Sequence, residues 1–301
     1  MADRKIIAVV GATGAQGGGL VRAIQADPAA GFTARAITRD INSPKAKALA
    51  ALGAEVVAAD VDDPASLERA FAGAHGAYCV TFFWDHFSPD REKAEVRSMA
   101  AAAKAANLRH VIWSTLEDTR KWVPLSDDRM PTLMGSYKVP HFDAKGESNA
   151  RFTEAGVPTT FLLTSFYWEN FIYFGMGPKK GPDGRLAITM PMGDQPLPSI
   201  ATEDIGRTVG IAGEHLTGAQ FAAALSRALG KEIGYNAVSP AMFRSFGFPG
   251  ADDLGNMFQF NAEFSDYFTG SRDLDMARAL NPQLQTFNVW LAANKDRIPL
   301  G

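Results

Sequence analysis

Short apolar runs rich in Ile, Val and Ala recur along the first half of the chain, each followed by a segment whose hydrophobic positions have helical spacing. Lys5–Val10 reads as a buried strand ended by glycine, and Gln16–Gln25 as a helix. The alternation continues through strand Thr33–Thr38, helix Pro44–Leu52, strand Glu55–Ala59, helix Pro64–Phe71 and strand His75–Phe82. A long helix opens at "SPDRE", with Ser88 as N-cap, Pro89 in the first turn and acids beside it. Strand Arg109–Ser114, helix Pro140–Ala155 and strand Pro158–Leu163 complete the series. Strands alternating with helices imply an α/β fold, a doubly wound parallel Rossmann sheet with right-handed crossovers.

From Ser165 the pattern changes. "SFYWENFIYFGMGPKKGPDG" is aromatic and then rich in glycine and proline, the composition of a loop or lid. Beyond it Leu186–Met190 and Ile233–Val238 read as strands, and Thr217–Leu229, Pro240–Phe246, Ala251–Phe260 and Phe287–Asn294 as helices. The expected organisation is a Rossmann domain over residues 1–164, rejoined by 201–213, and a smaller α+β substrate or partner domain over 165–301.

Composition narrows the function classes. A formal net charge of -3 over 301 residues and a pI near 6.0 supply no basic field for nucleic acid or an anionic membrane. No apolar run reaches membrane-spanning length. The single cysteine, Cys79, excludes an internal disulfide, and "MADRKIIAVVG" lacks the pattern of a signal peptide. A cytoplasmic protein is expected, with no direct nucleic-acid or membrane partner.

Gly11, Gly14 and Gly17 stand between the first strand and the first helix. A tight turn there needs positive φ, a pyrophosphate needs close backbone approach, and the helix amides then point at the anion. Thr13, Ala15 and Gln16 fill the same corner and join the expected nicotinamide dinucleotide contacts. At the end of the second strand, "ARAITRD" has Thr38 where NAD sites place an acid, followed by Arg39, with Lys45 and Lys47 close behind. A guanidinium suits a ribose 2′-phosphate, so NADP(H) is expected over NAD(H). Asp60 and Val61 are expected to border the adenine, and Thr81 and Phe82 the nicotinamide half. Phe166 and Tyr167 would cover that half, with Glu169 and Asn170 as polar contacts; the same stretch reads equally as packing between domains.

"VVGATGAQGG", "ITRD", "AADVDD", "HFDAKGE" and "GFPGADDLGNMFQF" together resemble the NmrA-like family of atypical short-chain dehydrogenase/reductase folds, nearly end to end. Among its branches the resemblance is to the HSCARG-type redox sensors. It implies a Rossmann domain binding NADP(H) and a small C-terminal domain, in a protein that either senses nicotinamide nucleotides through protein partners or reduces quinones or carbonyls. One departure stands out. Only Arg207 separates "ATEDIG" (Ala201–Gly206) from the strand-like "TVGIAG" (Thr208–Gly213), where relatives carry a longer helix. That implies a distorted final strand or a sequence lacking a segment.

Ordinary short-chain dehydrogenases use Tyr-x-x-x-Lys, in which tyrosine donates the proton and lysine holds the ribose. None of the six tyrosines here has a lysine four residues on. Lys145 is present, but one helical turn before it stands His141. Three readings compete. In a sensor, Lys145 keeps the ribose contact and nothing supplies the proton. In an enzyme, His141 is the general acid and Ser114 orients the carbonyl of a quinone, enone or aldehyde. In the third, His141 merely starts a helix beside Pro140. A scaffold that binds nucleotide only for stability is a further reading of the function. Tyr137 is a weaker hydroxyl, because Pro140 argues against extending the helix back to it. Cys79 reads as a buried strand residue, and histidines 75, 86, 110, 141 and 215 show no metal-ligand spacing, so no metal is expected.

Overall fold

A computed structural model describes residues 4–207 and 211–301 of the chain. Contacts divide it into two compact units: Met1–Asp118 with His141–Leu162 and Ile205–Arg207, and Thr119–Pro140 with Leu163–Asp204 and Thr208–Gly301. The segment Thr119–Pro140, expected in the Rossmann domain over residues 1–164, groups with the second unit. Of the expected returning segment 201–213, Ile205–Arg207 groups with the first unit. Residues 208–210 of the expected final strand lie outside the described residues, and Ile211–Gly213 form no strand. Beside the sheet's last strand, the Ile211 N–H donates to the Leu163 carbonyl at 3.4 Å.

The first unit alternates as the hydrophobic pattern requires. Its elements are β1 (Lys5–Val9), α1 (Ala15–Ala26), β2 (Phe32–Thr38), α2 (Pro44–Ala51), β3 (Glu55–Ala58), α3 (Pro64–Phe71) and β4 (Gly76–Cys79). They continue with α4 (Pro89–Ala105), β5 (His110–Thr115), α5 (Pro140–Ala155) and β6 (Thr159–Leu163). The six strands form one parallel sheet in the order β3-β2-β1-β4-β5-β6. The order reverses between β1 and β4, which opens a crevice at their carboxyl ends, the switch point where such sheets take ligands. Helix starts are set locally: Ser43, Asp63 and Ser88 accept hydrogen bonds from first-turn amides, and a proline follows each. One face of the sheet buries Leu67, Phe71, Val96, Met99, Trp113 and Phe152 against its helices.

The second unit carries β7 (Phe166–Tyr167), α6 (Asn170–Tyr173), β8 (Lys179–Lys180), β9 (Leu186–Met190), β10 (Leu197–Ile200), β11 (Glu214–Leu216), α7 (Gly218–Leu229) and β12 (Ile233–Ala237). Helices α8 (Pro240–Arg244), α9 (Ala251–Glu263), α10 (Ser265–Gly270), α11 (Leu274–Leu280) and α12 (Phe287–Asn294) follow. Its strands make two three-stranded sheets, β11-β10-β7 and β12-β9-β8. Among the described residues no helix is long and apolar enough to cross a membrane.

Gly146 decides how α5 seats. A Cβ there would meet the Asp118 amide nitrogen at 2.3 Å and the Glu117 carbonyl carbon at 2.7 Å, so the helix lies directly on the backbone that follows β5. Gly146→Ala is expected to lose about 1–3 kcal/mol of stability by overpacking. Gly270→Ala, where nothing lies within 4 Å of the added methyl, is expected to lose almost none. Denaturant unfolding of the two variants checks the contrast.

Candidate functional site

Beyond β1 the chain turns at Gly11 (φ +65°), where a Cβ would press on Val80 Cγ1 at 3.1 Å. Gly14 caps α1 without a side chain, and its N–H donates to the Gly11 carbonyl at 2.9 Å. At Gly17 a Cβ would fall 2.5 Å from the Gly11 oxygen and 2.8 Å from its carbonyl carbon. Gly11 therefore answers to torsion and Gly17 to space: the first turn of α1 lies against the loop that feeds it. Gly11, Gly14 and Ala15 are exposed and Thr13 and Gln16 half-buried, so a cradle of bare backbone faces solvent at the helix N-terminus. That surface fits a diphosphate, which needs amide donors and close backbone approach.

Gln16 ties the corner to the sheet. Its Oε1 accepts from the Tyr78 hydroxyl at 2.5 Å and from the Ser114 hydroxyl at 2.8 Å. Ser114, expected to orient a carbonyl, thus donates instead to the loop helix.

The β2 and β4 ends flank the cradle. On the β2 side Arg39 is exposed, its guanidinium 3.5 Å from the Asp85 carboxylate, which is also exposed, and Lys45 and Lys47 are exposed on α2. Asp60 closes a turn by accepting from the Asp62 N–H at 3.1 Å, and the half-buried Val61 packs on the core. On the β4 side Thr81 is buried and Phe82 exposed. Buried Lys145 donates to the Thr81 hydroxyl at 2.5 Å and its carbonyl at 3.3 Å, pairs with Glu92 Oε1 at 2.7 Å and stands 5.1 Å over the Trp113 ring. His141 shares α5 with Lys145, as expected, but its buried ring packs among Trp84, Phe142 and Phe83 with centroids 4.7, 4.8 and 6.0 Å away. Tyr137 lies ahead of α5, in the second unit, its backbone paired with Leu133.

Three groups here escaped the sequence reading. His86 Nε2 lies 3.4 Å from Glu92 Oε2 and 3.6 Å from Glu95 Oε1, and the three potential ligand atoms fall within 4.8 Å of one another. The available signal was the pair Glu92 and Glu95, one turn apart at the start of α4; nothing in the spacing joined His86 to it. The tautomer and the neighbouring cations argue against a metal ion here. His86 Nδ1 accepts from the Ser88 N–H at 3.0 Å, so the neutral ring carries its proton on Nε2, the reverse of the usual metal-bound imidazole. Each carboxylate also has a cation already, Lys145 on Glu92 and Arg91 on Glu95 at 3.4 Å. Burial alone would raise the Glu92 pKa, but the Lys145 ammonium and hydrogen bonds to the carboxylate hold it at about 2. Cys79 is fully buried, which pushes its thiol pKa up and leaves it inert.

Over residues 3–291 the sequence matches the NmrA-like family. The chain belongs to that family. An NmrA-like oxidoreductase of Penicillium ochrochloron is 26% identical, covering 96% of this chain and 97% of its own. An NAD(P)H azoreductase of Xenophilus azovorans is 26% identical over 78% of this chain and 77% of its own. The crystal structure of NmrA, a negative transcriptional regulator, in complex with NAD superposes with a TM-score of 0.76 at 25% identity, over 96% of this chain and 95% of NmrA. NmrA in complex with NADP gives 0.75 at 24% identity, over the same shares.

In this NmrA-like protein the aromatic stretch after β6 is not a loop. Phe166, Trp168 and Phe171 are buried in the second unit, where their rings meet Phe221, Phe258, Phe287 and Trp290. Of the expected lid, Tyr173 and Phe174 remain exposed. Tyr167 pairs through its backbone with Ile200 and is half-buried, and Asn170 opens α6. Glu169 is committed within its own unit: it accepts from the Thr202 N–H at 3.1 Å and the Trp290 indole N–H at 3.1 Å, and burial raises its pKa. These ring contacts are packing within the second unit, where packing between domains was expected.

Glu95 supplies a pH test. Burial and the neighbouring Glu92 charge raise its pKa from 4.5 to about 7, against His86 and Arg91. Stability contributed by its neutral form is complete below the unfolded value and is lost as pH rises through about 7. Between about pH 6 and pH 8, Glu95→Gln is expected to gain about 1 kcal/mol on the wild type, allowing for screening. Denaturant unfolding at both pH values checks the sign.

Proposed function

We propose that this NmrA-like protein binds NADP(H) and acts as a nicotinamide redox sensor or regulator, in the manner of the HSCARG-type branch it resembles. The observation that carries this reading is the residue one turn before Lys145: a histidine packed among aromatic rings, where a reductase of the ordinary kind needs a proton-donating tyrosine. Gly11, Thr13, Gly14, Ala15, Gln16 and Gly17 hold the diphosphate through backbone and helix dipole. Arg39 takes the 2′-phosphate, exchanging its long contact with Asp85 for a charge-assisted one. Asp60 and Val61 border the adenine, while Thr81, Phe82 and Lys145 serve the nicotinamide half. NmrA, described bound to NAD and to NADP, is itself a regulator.

The relatives named as oxidoreductases and as an azoreductase favour a second reading, an NAD(P)H-dependent reductase of a quinone, enone or aldehyde. The bound dinucleotide would supply the hydride, and water the proton that no tyrosine here provides. The sealed packing of His141 weighs against its acting as the acid.

Calorimetric titration with NADPH, NADP+ and NADH tests the binding claims. Arg39→Ala is expected to weaken NADPH by about 10- to 100-fold and leave NADH unchanged; equal affinities of the wild type for NADPH and NADH would remove the 2′-phosphate contact. Gly17→Ala is expected to abolish binding of all three. Mixing the NADPH-loaded protein with quinones and aldehydes in single turnover separates the two functions. A sensor leaves the NADPH unoxidised, and rapid oxidation would replace the sensor with the reductase.

A further inference from the structure

Glu92 stands in the first turn of α4 with its side chain wholly removed from solvent. A buried carboxylate is costly to keep, and removing one partner from such a pair is costlier still, because the other charge is then left without compensation. The contacts of its Oε1 gather at the β4 end of the cradle. Oε1 pairs with the Lys145 ammonium at 2.7 Å and accepts from the Thr81 hydroxyl, which in turn accepts from Lys145. Oε2 makes no hydrogen bond of good geometry and faces the proton-bearing Nε2 of His86 at 3.4 Å. Lys145, Thr81 and Glu92 thus form a closed triangle under the end of β4, with Trp113 below the ammonium.

We infer that Glu92 is the positioning residue of the nicotinamide half: its buried carboxylate fixes where the Lys145 ammonium stands, so that Lys145 meets the nucleotide from one place. The inference rests on the proposed contact between Lys145 and the nucleotide. The sheet order makes it selective. Arg39 follows β2 and Thr81 follows β4, on opposite sides of the β1 corner, so a change at Glu92 acts on one half of a dinucleotide and spares the other. Position 92 lies three residues inside α4, away from the glycine cradle, and no motif of the Tyr-x-x-x-Lys kind includes it. Its role follows from what it touches.

Glu92→Gln keeps the shape and removes the charge. Calorimetry with NADPH and with 2′,5′-ADP, which lacks the nicotinamide ribose, separates the two halves. Glu92→Gln is expected to weaken NADPH about tenfold or more while 2′,5′-ADP stays within about twofold. Lys145→Met is expected to do the same, and the double variant to bind NADPH no more weakly than Lys145→Met alone. Wild-type NADPH affinity in Glu92→Gln beside a loss in Lys145→Met would overturn the inference. So would an equal loss for both ligands, which marks a general structural role. Unchanged NADPH affinity in Lys145→Met would instead sink the underlying Lys145 contact, a separate result read from that variant alone. Should Glu92→Gln fail to fold, Glu92→Asp retains the charge but withdraws it by one methylene; it is expected to weaken NADPH and spare 2′,5′-ADP, and wild-type affinity for both would overturn the inference.

Discussion

The close approach of α1 to the turn after β1 is the constraint on which the rest of the first unit depends. With 2.5 Å between the Gly11 oxygen and the place a Cβ would take at Gly17, helix and loop touch through backbone alone. That contact aims the helix N-terminus across the switch point, and Gln16 then fastens it to Tyr78 and Ser114. The consequence is a surface of exposed backbone, flanked by small side chains, at the carboxyl edge of the parallel sheet. An anion meets amides and a dipole there rather than mobile cations.

Beside this neutral cradle the β4 side buries several ionisable groups together. Lys145, Glu92, His86 and Glu95 meet within a few ångströms, and Arg91 carries the chain of contacts on to Asp62 at 2.6 Å in the loop after β3. Charges buried together shift one another: Glu92 is driven down to about 2 by its ammonium partner, while Glu95, facing that same negative charge, rises to about 7. Two carboxylates one turn apart on a single helix thus come to opposite protonation behaviour. Burial and partners decide this, and residue type does not.

The second unit is organised on a different basis. Its centre is aromatic, with Phe287 and Trp290 stacked at 13° and 5.8 Å, and with Trp168 donating its indole N–H to Ser199 at 2.8 Å. Its polar groups are spent inward: Glu169 on Thr202 and Trp290, Asp204 on Gln285 and Asn281, and Asn256 on the Pro131 and Lys138 carbonyls. Asn256 also shows why Thr119–Pro140 groups here. A single amide on α9 holds two carbonyls of a segment more than a hundred positions earlier in the chain.

Alternation of short apolar strands with capped helices determined the fold class from sequence, because period and punctuation are local properties of the chain. The glycine corner, the absence of a Tyr-x-x-x-Lys pair and the seating of His141 and Lys145 on one helix were legible for the same reason. Tertiary structure alone decided what each side chain spends its groups on. It gave Ser114 to Gln16, Glu169 to Trp290 and the Phe166 stretch to a core, and it brought Lys145 of α5 to Glu92 of α4, with His86 from the preceding loop against Glu92 and Glu95. Most of those partnerships join residues more than fifty positions apart, as Gln16 with Ser114, Glu92 with Lys145 and Glu169 with Trp290, where spacing along the chain carries no information about distance.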